Sequence, residues 1–216
     1  MNIRCVWEHN GSDTLLYAID FPGAFSRGES LEAAKLKMGK EIQAYAAWLS
    51  LEIGSIGEIE VVQDSACELE IRDADSDVLF QSEIQPLTLE EYRILKAVAL
   101  KSASDFLALY NAIPDKNRSV GTRRNTFYGQ VPRTAEEMYQ HTKNVNAYYF
   151  GEIGVSADNE NSILDCRHRG FVQLEKGIVL LANPIIEGSY GEKWTLRKML
   201  RRFVWHGMVL TQDKNH

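Results

Sequence analysis

The sequence predicts an α+β domain, a sheet with one covering helix, over residues 1–87, followed by an all-α up-and-down four-helix bundle over residues 88–216. Three observations predict it. Apolar residues alternate at a period near two around one long helical stretch in the first part, and recur every three to four residues from Thr88 onward. Charge changes at the same place: 6 Lys and Arg stand against 16 Asp and Glu up to Leu87, a net of −10, and 18 stand against 14 beyond it, a net of +4. The chain then closes on a strongly amphipathic stretch, WTLRKMLRRFVWHGMVL at residues 194–210, with Leu196, Met199, Leu200, Phe203, His206, Gly207 and Leu210 on one face.

In order, residues 3–7 and 14–20 are β-branched and aromatic runs, and Asn10-Gly11 between them is a strong short-range hairpin signal. Phe21-Pro22-Gly23 turns the chain into a brief edge strand at residues 24–27. Ser30 is the expected N-cap of a long helix. Its buried face is Leu31, Ala34, Met38, Ile42, Tyr45, Trp48 and Leu49, and Gly54 and Gly57 are expected to end it. Residues 59–63, 67–72 and 78–84 alternate as half-buried antiparallel strands do.

Within this part, DFPGAFSRGESLEAAKLKMGKEI at residues 20–42 resembles the HicB-like antitoxin module. Asp20, Pro22, Gly23, Gly28, Ser30, Leu31, Glu32 and Ala33 carry the likeness, over about the first 50 residues. The resemblance implies a partial ribonuclease-H-like sheet with a helix, used for partner binding or as a fused sensory part.

Beyond Thr88, Thr88 with Glu91 and Thr134 with Glu137 are capping boxes that open two helices. The first has the stripe Leu89, Tyr92, Leu95, Ala99, Ala103, Phe106 and Tyr110, and Pro114 stops it. The second carries Met138, His141, Val145 and Tyr148 as its inward stripe. Between them, residues 116–132 form a long loop rich in Gly, Asn and Arg. Ile163, Phe171, Leu174, Ile178 and Leu181 mark a third helix ending at Asn183-Pro184, and the loop at residues 187–192 leads into the last.

TFYGQVPRTAEEMYQHTKNVNAYYFGEI at residues 126–153 and GEKWTLRKMLRRFVWHGMVL at residues 191–210 resemble the second and fourth helices of the DinB-like superfamily, over nearly all of residues 88–213. That resemblance implies a divalent metal (Ni, Zn or Fe) held by three histidines, with thiol S-transferase or hydrolase activity, and a homodimer. His141 and His206 match the first two ligand positions; the third is Leu210, and Gly207 stands where a Glu often follows the second histidine. His168, four residues after Leu164 and three before Phe171, is the candidate substitute third ligand, though a hydrogen-bonded core imidazole is the plainer reading of it. Cys166 faces elsewhere on the same helix.

Arg118, Arg123, Arg124 and Arg133 flank the loop between the first two helices of the bundle. Arg123 and Arg124 are the candidate ligand-binding pair, since guanidinium forks hold carboxylates and phosphates in bidentate fashion. A solvated loop, or a docking surface for the acidic first part, is the alternative that loop flexibility favours. Arg197, Lys198, Arg201 and Arg202 read as a solvated helix face. No G-x-S-x-G elbow, Walker loop or G-x-G-x-x-G turn occurs, and Asp73, Asp75 and Asp77 lack the glycine and closing glutamate of a calcium loop.

An acidic first part is a poor surface for nucleic-acid phosphates, and no apolar run reaches the roughly 20 residues that span a bilayer. MNIRCVWEHN is not a secretory leader. Three scattered cysteines, Cys5, Cys67 and Cys166, fit reduced thiols in a cytoplasm. The expectation is therefore a cytoplasmic, two-domain, non-catalytic protein with a degenerate metal site, binding a small-molecule or protein partner. The metal-dependent S-transferase or hydrolase is the alternative.

Overall fold

The computed structural model describes residues 1–68, 78–120, 125–126, 129–177 and 181–212, without the side chains of 125–126 and 208–212. The chain divides into two compact units, Met1–Glu83 and Ile84–His216. The first is a four-stranded sheet with a helix; the second is helical.

In the first unit β1 (Ile3–Asn10), β2 (Asp13–Ala18), β3 (Phe25–Gly28) and β4 (Ile59–Ala66) lie in the order β3-β2-β1-β4. The β1–β2 turn is Gly11-Ser12, because Asn10 pairs with Asp13. Gly11 sits at φ +60°, the positive φ that a two-residue turn of this kind puts at its first position. β4 runs parallel to β1, with Ile3 opposite Ile59, and not antiparallel as its alternation suggested. Alternation fixes which face a residue takes, and is silent on the direction of the neighbouring strand. Residues 78–84 form no strand either: a 3₁₀ turn, Gln81–Ile84, closes the unit, and Phe80 packs on Tyr17 at 5.5 Å between ring centres. Most of the expected strand at 67–72 lies outside the described residues.

Helix α1 (Leu31–Leu49) covers the sheet through Ala34, Met38, Ile42, Tyr45 and Ala46. Ser30 caps it, its hydroxyl accepting from the Ala33 amide at 3.2 Å. Gly28 is required just before this cap, because a Cβ there would lie 2.7 Å from the Ala34 nitrogen and 2.8 Å from the Ser30 carbonyl oxygen. The helix ends at Ser50, in the left-handed region at φ +54°, ahead of the glycines expected to end it. Gly39 lies inside α1, and a Cβ at that position would have nothing within 4 Å of it. Gly39→Ala should therefore stabilise the protein by about 0.5–1 kcal/mol through backbone entropy alone. Urea unfolding of the full chain checks this; a lower midpoint would mean that the site is not open.

In the second unit α2 (Leu89–Ala112), α3 (Ala135–Glu152), α4 (Ile163–Leu174) and α5 (Leu196–Gln212) pack on one another. The capping boxes at Thr88 and Thr134 both form, and a third, Ser162 with Asp165, opens α4. The buried stripe of α3 is Tyr139, Thr142, Val145, Asn146, Tyr149 and Phe150, largely one residue on from the expected one, which leaves His141 and Tyr148 half-buried at its edge. α4 ends at Leu174, well short of Asn183, and Ile178 lies outside the described residues.

The helix directions differ from the expected up-and-down order. Tyr110 of α2 stacks on Tyr139 near the start of α3, 4.1 Å between ring centres, so α2 and α3 are antiparallel. The Ile163 amide at the start of α4 donates to the hydroxyl of that same Tyr139 at 3.1 Å. Further along, Phe171 of α4 meets Phe150 of α3 at 5.3 Å, so α3 and α4 run parallel. Arg197 of α5 pairs with Glu91 of α2 at 3.0 Å, and Gly207 faces Ser102, so α5 runs parallel to α2. The α3–α4 connection, residues 153–162, therefore returns along α3. Asn159 secures it there, accepting from the Ala147 amide at 3.0 Å and donating to the Asn144 carbonyl at 3.1 Å. Among the described residues no helix is long and apolar enough to cross a membrane.

Candidate ligand site in the helical unit

Two of the predicted histidines meet. His206 on α5 is buried, His141 on α3 is half-buried, and their ring centres lie 5.0 Å apart. Two imidazoles holding one ion at about 2.0–2.1 Å per nitrogen have ring centres at about this spacing. The third candidate is elsewhere: His168 is exposed on α4, because the buried line of that helix runs Ile163, Arg167, Gly170, Leu174 and His168 lies off it. Cys166 is buried, its thiol bonded to the Glu160 carbonyl at 2.9 Å and pushed upward in pKa by burial. Among the described residues no three His, Cys, Asp or Glu side chains are grouped to hold a metal ion. Among the described residues the three-histidine set implied by the resemblance is thus not matched, and no reaction step through a metal follows from this geometry.

Of the loop arginines, Arg123 and Arg124 lie outside the described residues. Arg118 is exposed, and Arg133 is half-buried, its amide bonded to the Glu137 carboxylate at 2.7 Å.

The larger departure is on α5. Lys198, Arg201 and Arg202, expected on a solvated face, are 0%, 3% and 1% exposed. Burial of charge at this level requires partners close at hand. Glu192 supplies one carboxylate to two of them, 2.7 Å from Lys198 Nζ and 3.3 Å from Arg202 Nη1. Aromatic rings add to this: the Arg202 guanidinium lies 5.1, 5.3 and 5.7 Å from the centres of Tyr149, Trp194 and Trp205, and Lys198 Nζ lies 4.9 Å from Trp194. The Tyr149 hydroxyl joins this cluster to the histidine pair, accepting from Arg202 Nη2 at 3.2 Å and lying 3.4 Å from His206 Nδ1. Burial lowers the Lys198 ammonium to about 8, against the opposing pull of Glu192.

A polar layer also crosses the helical core. Ser102 of α2, Thr142 and Asn146 of α3, Arg167 of α4 and His206 of α5 are all buried there. Arg167 is 1% exposed. Its Nε donates to Asn146 Oδ1 at 2.9 Å, its Nη1 donates to the Ala99 carbonyl at 3.2 Å, and its guanidinium lies 4.1 Å from the Phe203 ring centre. Burial lowers Arg167 to about 9. At Gly207, the position where the resemblance would place a Glu, an added Cβ would lie 2.1 Å from Ser102 Oγ, so a side chain there requires the Ser102 hydroxyl to turn away.

Arg167, Arg202, Lys198, Tyr149 and Glu192 are functional candidates that sequence reasoning passes over. For Arg167 a signal exists: it falls four residues after Ile163 and four before Phe171, an arginine on an apolar stripe. For Glu192 there is none, since its partners lie beyond a turn and on the next helix. The chain matches no family model, no curated protein and no solved structure.

Proposed function

We propose that this is a non-catalytic binding protein whose helical unit is a DinB-like four-helix bundle with a degenerate metal site, taking a small-molecule or protein partner, and that the HicB-like first unit modulates it. The carrying observation is the buried polar layer of Ser102, Thr142, Asn146, Arg167 and His206. A bundle core is ordinarily filled with aliphatic and aromatic side chains, and each polar group placed there costs stability unless it has a use or a partner. The absence of catalysis rests on the donor set: two imidazoles, an exposed His168 and an apolar Leu210 at the third ligand position. The DinB-like resemblance further suggests a homodimer.

The 5.0 Å approach of His141 and His206 favours one second reading, a metal-dependent thiol S-transferase or hydrolase that uses these two histidines with a substitute third ligand. Elemental mass spectrometry of the untagged full chain separates the two. The binding reading expects no metal retained near one per chain, and unchanged content in His141→Ala and His206→Ala. Near-stoichiometric nickel, zinc or iron, lost in both variants, overturns it in favour of the enzyme.

A further inference from the structure

Arg167, like Arg202, is a large charged side chain sealed inside the helical unit, and its bonds leave it incomplete. Nε and Nη1 each reach a neutral oxygen, of Asn146 and of the Ala99 main chain, while Nη2 is buried with no hydrogen-bond partner among the described residues. None of the carboxylates described pairs with it. Ser102 Oγ, one turn along α2 from Ala99, is likewise buried with no partner among the described residues. A guanidinium carries five N–H donors in a planar fork and stays protonated in a protein. Leaving such a fork uncompensated in a low-dielectric core is costly, and an anion that brings its own charge removes the cost.

We propose that Arg167 anchors a ligand carboxylate in the core of the helical unit, with Nη2 as the principal donor and Ser102 as a second. The charge sets the class. One guanidinium balances one negative charge, so a monoanionic carboxylate fits and a phosphate dianion leaves a charge over. Around the fork, Phe203 lies against the guanidinium, and Phe150 and Phe171 pack on Phe203 at 5.1 and 6.2 Å. Charge-assisted bonds of this kind are about twice as strong as neutral ones.

This proposal rests on the binding reading given above and names its ligand class. The test is thermal unfolding of the full chain with sodium acetate, octanoate or benzoate, each against sodium chloride and sodium phosphate at equal ionic strength. At a hundredfold excess over Kd, binding to the native state raises Tm by roughly 5 °C or more for a chain of this size. At least one of these carboxylates should raise Tm in this way, with chloride and phosphate giving less. Arg167→Met should abolish the response while unfolding at least as high as the wild type without ligand, because it removes an uncompensated buried charge. Arg167→Lys keeps the charge but loses the fork, and should weaken Kd by about tenfold; it serves as the comparison if the methionine variant does not fold. Wild-type protein indifferent to all three carboxylates, a chloride or phosphate shift as large as theirs, or an unaltered response in the variants overturns the assignment. Mass spectrometry of solvent extracts keeps this failure distinct: a neutral molecule carried through purification overturns the carboxylate and leaves the binding reading standing, whereas a stoichiometric metal brings down the reading itself.

Discussion

Gly170→Ala should destabilise the protein by about 2 kcal/mol, net of the helix propensity that alanine gains, because the core at that point has no room for a methyl group. A Cβ at Gly170 would lie 2.0 Å from Phe150 Cε2 and 2.4 and 2.5 Å from two further atoms of the ring. The ring cannot step aside. Phe150 is 0% exposed, with Phe171 edge-on at 5.3 Å and Phe203 at 5.1 Å. Gly170 is thus what lets α4 approach α3 closely enough for Arg167 to reach Asn146. Gly151→Ala is the matched control: it sits in the last turn of α3 with nothing within 4 Å of the added carbon, and should be neutral or stabilising by up to about 1 kcal/mol. Urea midpoints with an unchanged denaturant slope measure both. Equal effects for the two variants would show that helix propensity, and not the close approach, governs this face.

That contrast marks what can be read from the chain in advance. Features made by neighbouring residues are legible: the Thr88 and Thr134 capping boxes, the Ser30 cap, and the first hairpin to within one residue of its turn. Ser162-x-x-Asp165 carries the same kind of signal. Features made across the fold are not legible in this way. The ten residues between α3 and α4 look like a link between antiparallel neighbours, yet ten extended residues reach about 33 Å, enough to run back along α3 and start a parallel helix. An amphipathic pattern assigns the arginines of α5 to water because it equates charge with solvent. Tyr149, Trp194, Trp205 and Glu192, which replace that solvent, come from other elements or from the far side of a turn. Of the site, His141 and His206 are legible because each lies on or beside an apolar stripe of its own helix. His168 is misplaced because a stripe drawn one residue off turns a side chain by about 100°.

Glu192→Gln should cost about 3 kcal/mol, since it removes the carboxylate shared by two buried cations and leaves both charges in place. Two further partners of Lys198, the Lys193 carbonyl and the Trp194 ring, satisfy donors without cancelling charge. The same holds for the Tyr149 hydroxyl and the three rings around Arg202. The pH dependence separates this account from simple loss of packing. Burial holds Lys198 near 8 in the folded protein, with Glu192 raising it and Arg201 and Arg202 lowering it, against 10.5 for a free lysine. Between those values the unfolded chain carries a proton that the folded chain has released, so the Lys198 contribution to stability rises with pH from about 8 to 10.5. Without Glu192 the folded ammonium is less favoured still, and that window opens at a lower pH. The loss in Glu192→Gln should therefore be full near pH 6 and smaller at pH 9, where Lys198 is mostly neutral in either protein. Lys198→Met in the Glu192→Gln background should restore part of the stability and flatten this pH dependence, because it removes one of the two charges that Glu192 balances. A loss that stays constant from pH 6 to 9 would mean that Glu192 acts through packing or through Arg202 alone.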